Sequence, residues 1–408
     1  MGKSFEIVPE GGVTSPKGFR AGGLHCGLKK TDRHDLGAIV CDVPAAAAAV
    51  YTTNLFQAAP LQVTRESLAE EGKLRAVLVN SGNANACTGK RGEEDAFLMR
   101  SALAEALGVP KHQVAVASTG VIGELLKMDR VSAGIARLPE RLRADEQGAD
   151  DFCQAILTTD LVKKSACVAL TIDGQRVTIA GAAKGSGMIH PNMATMLGFV
   201  TTDAVISASL LQELLREVTD VTFNMITVDG DTSTNDMLVA MASGLAGHRE
   251  LSRGHPDFAA FAAGLRHVCA ELAKAIARDG EGATKLIEAT VVGARSDGDA
   301  RAIAKTIIGS SLVKSAAFGA DANWGRIIAA VGRAGVPVDV NTVDIRLGDI
   351  VVLEQSRPVP FEEDAALEYL KGGQVDIYVD LNMGSGRAVA WGCDLTYDYV
   401  RINAAYRT

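Results

Sequence analysis

Strand-like and helix-like segments follow one another along this chain, and that mixture limits the possible fold more than any other feature. RAVLVNSG (Arg75 to Gly82) is typical of a buried strand, and EDAFLMRSALAEALG after it has helical spacing and ends at Gly108. CVALTIDGQRVTIAGAAKG predicts a hairpin, because β-forming residues flank the turn Asp173-Gly174. Mixed strands and helices predict a layered α+β fold, with helices outside and sheets within.

The remaining segments extend this pattern. The first ninety residues are expected to be β-rich, with Gly and Asn turns. Helical spacing recurs in ASLLQELLREVTDVTF and in FAAFAAGLRHVCAELAKAIARDG, whereas TKLIEATVVGA is a strand. From Val336 onward we expect mostly strands with one short helix, EEDAALEYLK. The 408 residues exceed the ~250–300 at which one hydrophobic core stops growing, so two domains or one large interleaved α/β unit are expected.

Charge and composition exclude several classes of partner. A formal net charge of -8 disfavours nucleic acid, whose phosphates are bound by Lys and Arg, and 5% aromatic residues offer few stacking platforms for bases. The seven cysteines are far apart and form no Cys-x-x-Cys pair, so reduced, mostly buried thiols are expected. We find no signal-peptide pattern and no apolar stretch of bilayer length, and therefore expect a cytoplasmic protein without a membrane partner.

Several familiar motifs fail on inspection. The segment from Gly82 to Lys90 has the wrong glycine spacing for a phosphate loop. DGDTSTND is not a calcium loop, because Thr234 stands where Gly is needed and Ala240 where a bidentate Glu is needed. Neither Gly-x-Ser-x-Gly nor HExxH occurs, so we expect an enzyme without a metal or a bound cofactor.

KGSGMIHPNMATMLGF is the most unusual stretch of the chain. One interpretation is a buried loop that enters a methionine-rich core strand, since methionine fills gaps. The other is chemical, because a threonine hydroxyl becomes a good nucleophile when its own N-terminal amine acts as base. Thr195 acquires that amine if its hydroxyl attacks the carbonyl of Ala194 and water hydrolyses the resulting ester. The glycines upstream allow backbone angles that strain this bond.

The motif resembles the self-cleavage site of the glutamate N-acetyltransferase (ornithine acetyltransferase) family, in which cleavage falls between Ala and Thr. ASTGVIGE is similar to the family's oxyanion segment, DGEGATK to its substrate-binding loop and INAAYRT to its C-terminus. With NSGNANACTG and TVDGDTSTND, the resemblance spans nearly the whole chain, and no motif departs from the family pattern.

The resemblance implies a proenzyme cut into an α chain, residues 1–194, and a β chain, residues 195–408, which remain together as an α2β2 assembly. It also implies a fold, the α/β/β/α sandwich, similar in architecture to N-terminal nucleophile hydrolases but differently connected. Thr195 would take the acetyl group from N2-acetylornithine and pass it to glutamate in arginine biosynthesis. Acetyl-CoA is a further expected donor, and the sequence leaves open whether this chain uses it.

The resemblance assigns the other site residues one by one. The hydroxyl of Thr119 and the backbone N–H of Gly120 would form the oxyanion hole, although by themselves they suggest a polar turn after a strand. Lys184 would bind the α-carboxylate of the substrate and Glu281 the side-chain amine of ornithine, although each alone would be a solvated surface charge. The remaining family contacts match Thr158, Asn403 and Thr408. His190 is interpreted as part of the cleavage loop.

Two rival hypotheses stay open. A self-processing aminopeptidase or amidase of related fold would use the same chemistry with water as acceptor, although a Lys184 and Glu281 pair suits an amino-acid acceptor better. A non-catalytic amino-acid-binding protein would never be cut, and would therefore run as one band on a denaturing gel.

Overall fold

The computed structural model describes residues 4–190 and 196–405, which form two compact units. The first comprises Met1–Gly185, Asn192–Asp220 and Thr232–Leu272, and the second Ser186–Pro191, Val221–Asp231 and Ala273–Thr408. Each of the two predicted chains, 1–194 and 195–408, contributes to both units. The division into chains stays a prediction.

The first unit contains, within the described residues, a nine-stranded mixed sheet. Its strands are β1 (Glu6–Ile7), β2 (Phe19–Leu24), β3 (Leu36–Tyr51), β4 (Lys73–Asn83), β5 (Val114–Val121), β6 (Lys164–Ile172), β7 (Gln175–Lys184), β8 (Leu197–Thr202) and, later in the chain, β10 (Met237–Ala242). They are ordered β1-β6-β7-β8-β10-β3-β4-β5, with β2 paired to the long strand β3. The pairs β4–β5 and β8–β10 are parallel, and the other pairs are antiparallel.

The helices of this unit alternate with its strands along the chain. They are α1 (Ala59–Glu71), α2 (Gly89–Leu107), α3 (Met128–Arg137), α4 (Glu146–Ile156), α5 (Ala208–Asp220) and the first part of α6 (Phe258–Arg278). Both faces of the sheet are covered, as the alternation in β4 indicates. Ala76 and Leu78 pack with α2 and α3, whereas Val77 and Val79 pack with α4. The strands that carry the site are thus held rigidly between two cores.

The second unit is built on a seven-stranded mixed sheet among the described residues. Its strands are β9 (Ile226–Thr227), β11 (Leu286–Ala294), β12 (Asp344–Leu347), β13 (Ile350–Glu354), β14 (Arg357–Pro358), β15 (Gln374–Asp380) and β16 (Gly386–Cys393), ordered β14-β13-β12-β15-β11-β16-β9. Its helices are the end of α6 with α7 (Asp297–Ile308), α8 (Ser311–Phe318), α9 (Trp324–Gly332), α10 (Glu363–Leu370) and α11 (Tyr397–Ala404). With one mixed sheet and its helices in each unit, the predicted α+β class is confirmed.

A buried lysine fastens two helix ends in the second unit. Lys285 Nζ donates hydrogen bonds of 2.6 Å to the carbonyl oxygens of Ala317 and Leu370, in the last turns of α8 and α10. Carbonyl oxygens in the last turn of a helix lack the intrahelical N–H partner of the earlier turns, and a cation there also complements the helix dipole. The carbonyl oxygen of Ala317 also accepts from the backbone N–H of Ala320 at 3.2 Å. Lys285 fixes the end of the DGEGATK segment, directly before β11, to the ends of both helices.

Most predicted elements are confirmed. The hairpin at Asp173-Gly174 joins β6 to β7, α2 ends at Leu107 with Gly108 as its C-cap, and β11 coincides with TKLIEATVVGA. One expectation was wrong: the last third contains α11 in addition to α10. The first ninety residues are β-rich as expected, and they also contain the helix α1. All seven cysteines are unpaired, and all but Cys26 and Cys87 are buried. Every helix in the described parts of the chain is too short or too polar to span a bilayer.

Candidate active site

The predicted oxyanion segment lies at the end of β5 in the first unit, not in a turn. Thr119 is 9% exposed, and Gly120 has a φ of 137°. A side chain at Gly120 would overlap the backbone of Gly82 and Asn83 on the neighbouring strand β4. Only glycine therefore allows this backbone conformation and this close approach, which leave the segment free of side-chain obstruction.

Three asparagines hold the predicted oxyanion segment in place. Two belong to the NSGNAN motif, and the third lies just before β10 in sequence. Ser118 Oγ donates to Asn80 Oδ1 at 2.5 Å, and Asn80 Nδ2 donates to the carbonyl oxygen of Asn83 at 2.9 Å. Asn235 Nδ2 bridges the carbonyl oxygens of Ala84 and Ser118 at 2.5 and 2.8 Å. Such a buried, satisfied network restricts the strand end to one conformation.

The predicted carboxylate-binding lysine meets the predicted oxyanion threonine. Lys184, the last residue of β7, is 8% exposed, and its Nζ donates to Thr119 Oγ1 at 3.3 Å. An ammonium group cannot accept, so the hydroxyl of Thr119 keeps its own hydrogen for another acceptor. Lys184 thus positions the hydroxyl and supplies positive charge beside it. The expectation that this lysine would be a solvated surface charge, if taken alone, was wrong.

A buried carboxylate that sequence analysis missed organises the lysine's surroundings. Asp160 Oδ1 accepts from Lys164 Nζ and from the backbone N–H of Gly185, both at 2.7 Å, and its Oδ2 accepts from the backbone N–H of Thr158 at 3.0 Å. Burial alone would raise the pKa of Asp160, but the ammonium groups of Lys184 and Lys164 hold it well below its usual range. Asp160 therefore stays ionised and joins predicted substrate contact Thr158 to the end of β7.

The start of β8 lies between Lys184 and the entrance to β10. Leu197 is paired with Lys184 on one side and with Met237 on the other, and the backbone N–H of Met237 donates to the carbonyl oxygen of Met196 at 2.9 Å. The predicted cleavage site, Ala194 and Thr195, directly precedes Met196 in sequence and lies outside the described residues.

The second unit contains the predicted anionic contact. Glu281 is 7% exposed and so is not a solvated surface charge; Asn403 Nδ2 donates to its Oε2 at 2.8 Å. A side chain at Gly187 would overlap the Glu281 carboxylate, so the glycine of KGSGM is what allows the two segments to approach. Glu281 and Asn403 are thus brought together as predicted contacts. Thr408 lies outside the described part of the chain.

A further carboxylate, Asp229, adds negative charge to this unit. Asp229 accepts from the backbone N–H groups of Met188 and Ile189 at 2.7 and 2.8 Å and so holds the beginning of the predicted cleavage loop. The pKa of Tyr399 is raised, first by burial and then by the negative charges of Asp229 and Glu281. The acidic environment suits a cationic ligand group.

His190 has a defined tautomer. Its Nδ1 lies 3.0 Å from Thr227 Oγ1, whose own hydrogen is donated to the carbonyl oxygen of Ile189 at 3.0 Å. Nδ1 must therefore be the protonated nitrogen, and Nε2 carries the lone pair. Burial, and then the positive charge of Lys305, lowers the pKa of His190, so the ring is neutral at neutral pH.

One group of side chains in the described residues could hold a metal ion. Ligand atoms of Asp173, His255 and Asp257 lie within 4.8 Å of one another. However, Arg249 Nη2 donates to Asp173 at 2.6 Å, and His255 Nε2 lies 3.2 Å from the same carboxylate. An ion would have to displace the arginine, so the group is better described as an ion-pair network. The absence of a metal from the reaction stays a prediction.

We compared the chain with protein families, with curated proteins and with solved structures. The ArgJ family model matches residues 20–408. The chain is 60% identical over 402 residues to the arginine biosynthesis bifunctional protein ArgJ of Geobacillus kaustophilus, an alignment that covers 98% of this chain and 97% of that protein. It is 55% identical over 398 residues to the protein of the same description from Bacillus subtilis, covering 98% and 97%.

Two solved structures are also similar in sequence. The arginine biosynthesis bifunctional protein argJ of Bacillus halodurans is 58% identical, with a TM-score of 0.46, and the match covers 47% of this chain and 98% of that chain. The ornithine acetyltransferase of Mycobacterium tuberculosis, solved in complex with ornithine, is 40% identical, with a TM-score of 0.44 and coverage of 47% and 100%.

Proposed function

The chain belongs to the ArgJ family, and from this premise we propose that it is a self-cleaving acetyltransferase that moves the acetyl group of N2-acetylornithine to glutamate in arginine biosynthesis. The observation that carries the proposal is the hydrogen bond between Lys184 and Thr119. Lys184 is paired with Leu197, the first residue of β8, which is two residues after the proposed nucleophile Thr195. A cation and a hydroxyl donor there suit an anionic amino-acid substrate and a developing oxyanion.

Self-cleavage creates the nucleophile. The hydroxyl of Thr195 attacks the carbonyl carbon of Ala194, the C–N bond breaks, and an ester replaces the amide. The nitrogen takes the proton that the hydroxyl loses and becomes the α-amine of Thr195. Water then hydrolyses the ester, which releases the carboxylate of Ala194 and restores the hydroxyl of Thr195. Asp229 and Asp160 support this step from either end of KGSGMI, because each binds backbone N–H groups of that segment.

Acetyl transfer proceeds in two similar halves. The α-amine of Thr195 takes the hydroxyl proton while Oγ attacks the acetyl carbonyl, ornithine leaves with that proton on its nitrogen, and acetyl-Thr195 remains. The amine of glutamate then attacks the acetyl ester, the bond from the acetyl carbon to Thr195 Oγ breaks, and the α-amine of Thr195 passes the proton lost by the glutamate nitrogen to Oγ, so N-acetylglutamate leaves and the hydroxyl is restored. Each half passes through an oxyanion that Thr119 Oγ–H and the N–H of Gly120 stabilise, and Lys184 holds the α-carboxylate of each amino acid. Glu281, with Asn403, accepts the side-chain amine of ornithine.

We extend the proposal to assembly and to a second donor. The α chain, residues 1–194, and the β chain, residues 195–408, stay together and pair as α2β2. Acetyl-CoA also acetylates Thr195, because a thioester is a more reactive acyl donor than the amide of N2-acetylornithine. No other cofactor takes part.

The central test follows the acetyl group. The purified, cleaved enzyme with both chains present, mixed with N2-acetylornithine alone, should gain one acetyl group on its β chain by intact mass and lose it when glutamate is added. Acetyl-CoA plus glutamate should give N-acetylglutamate and free thiol more slowly. Intersecting initial-rate lines without a trapped acetyl-enzyme would contradict the covalent route, acetate release in the absence of glutamate would favour an amidase, and no thiol above a Thr195→Ala control would remove acetyl-CoA.

Glu281→Gln should raise the KM for N2-acetylornithine by about 10- to 100-fold, since a hydrogen bond to a charged group contributes roughly 1.5–3 kcal/mol. The kcat should change little and the KM for glutamate should not rise, because the lost contact is to the ornithine amine. Glu368→Gln, an exposed glutamate of the same unit, is the matched control. An equal rise in both KM values would show that Glu281 does not recognise that amine.

A further inference from the structure

Asp236 is a buried carboxyl group with an unused oxygen. It directly precedes β10 and is 3% exposed, and its Oδ2 has no hydrogen-bond partner in the described residues. Its backbone is fixed, because its carbonyl oxygen accepts from the N–H of Thr52 at 2.9 Å. Leaving a buried polar atom unpaired costs about 1–3 kcal/mol, and groups of this kind call for a functional explanation.

The strand register brings Asp236 beside the entrance to β8. The next residue, Met237, donates its backbone N–H to the carbonyl oxygen of Met196 and is paired with Leu197 in the parallel ladder. Thr195 is the residue before Met196 in sequence. Asp236 and Lys184 thus flank the beginning of β8 from the two neighbouring strands.

Burial favours the protonated form of the Asp236 carboxyl. Burial raises the pKa of Asp236 well above its usual range, and neither the hydrogen bond from Ser233 nor the positive charge of Lys184 reverses this. Lys184 is the charged side chain that acts on Asp236, from β7 on the far side of β8, and its Nζ donates to Thr119 Oγ1. A neutral carboxyl can both donate a proton and accept one, which the ammonium cannot do.

We propose that Asp236 is the proton shuttle of self-cleavage, an inference that rests on the proposed function. As Thr195 Oγ bonds to the carbonyl carbon of Ala194, the C–N bond breaks and its electron pair goes to nitrogen. The nitrogen takes the proton of the Asp236 carboxyl, and the carboxylate so formed takes the proton that the Thr195 hydroxyl loses. The amide becomes an ester plus an amine, and Asp236 ends neutral.

Asp236→Asn tests this assignment, because the amide has nearly the same shape and is neutral but cannot relay a proton. The full chain is synthesised in a cell-free system, and cleavage is followed over time on denaturing gels. We expect the variant to be cut at least about 100-fold more slowly than wild type, the lower end of what general acid–base catalysis contributes. Thermal unfolding of the uncut variant should match that of the uncut Thr195→Ala chain.

Asp95→Asn is the matched control. Asp95 on α2 is also fully buried and has an unpartnered Oδ2 in the described structure, but it pairs with Arg91 and has no place in the site. It should be cut at the wild-type rate. A wild-type rate for Asp236→Asn as well would overturn the shuttle and leave the proposed function intact, whereas an uncut wild-type chain would overturn both.

The pH dependence of wild-type cleavage gives a second readout that does not depend on any variant folding. The shuttle requires the protonated carboxyl, so the rate should fall as the pH rises through the raised pKa of Asp236. Residual cleavage by Asp236→Asn should not show this fall. A wild-type rate that stays constant or only increases with pH would overturn the assignment.

Discussion

Thr195→Ala should yield a single uncut chain without acetyltransferase activity. The methyl group cannot attack the Ala194 carbonyl, so neither the ester nor the α-amine forms. Transfer would also lack its nucleophile, and removal of a nucleophile reduces kcat by about 10⁶-fold in well-studied hydrolases. A denaturing gel should show one band, and the coupled assay with N2-acetylornithine and glutamate should stay at background.

Thr195→Ser is the informative partner of that substitution. It keeps a hydroxyl and should be cut at the same bond, more slowly, because the missing methyl group leaves the oxygen free to rotate. N-terminal sequencing of its β chain should begin with serine at position 195, and wild type with Thr195. Active wild-type enzyme that contains only the original N-terminus, or a cut at another bond, would refute the assignment of Thr195.

The parts of the fold that could be predicted are those with local signals. The hairpin at Asp173-Gly174 needs only its turn residues and the alternation on both sides, and it forms as expected. The helix α1 was missed for an identifiable reason. Its buried face includes Thr64 and Ser67, whose hydroxyls donate to the carbonyl oxygens of Val116 and Val114 at 2.8 Å. Polar residues on that face interrupt the apolar period that reveals a helix.

The helix α11 illustrates the opposite difficulty. None of its residues is buried, so no apolar stripe distinguishes it from a loop. It matters because it carries Asn403, which bonds Glu281. The family resemblance predicted Asn403 as a substrate contact without any knowledge of its secondary structure, and the helix explains how that side chain reaches Glu281.

The site itself was only partly within reach of sequence. Thr119, Gly120 and Lys184 were predicted through motifs, and the bond between Lys184 and Thr119 gives two of them a common location. Asp160 and Asp236 were not found, because their importance depends on burial and on partners distant in sequence. The signal for Asp236 was present in DGDTSTND, which fails as a calcium loop yet is dense in side chains that bind backbone.

Thr119→Ala carries the second large expected effect, a loss of roughly 10²–10³ in kcat with little change in KM. The reason is that the Thr119 hydroxyl keeps its hydrogen while its oxygen accepts from Lys184, so the hydrogen is available when the oxyanion forms. One oxyanion donor typically contributes about 3–4 kcal/mol to the transition state and little to the ground state. Rates should be normalised to the cut enzyme seen on a denaturing gel.

Thr119→Ser separates the hydroxyl from the rest of the side chain. Serine keeps both the acceptor for Lys184 and the hydrogen for the oxyanion, so it should retain most of the wild-type kcat. If alanine instead raised the KM for both amino acids and left kcat unchanged, the main task of Thr119 would be to hold Lys184 against the substrate carboxylate. The oxyanion would then depend on the backbone N–H of Gly120, at the position where the φ of 137° and the packing against β4 admit no side chain.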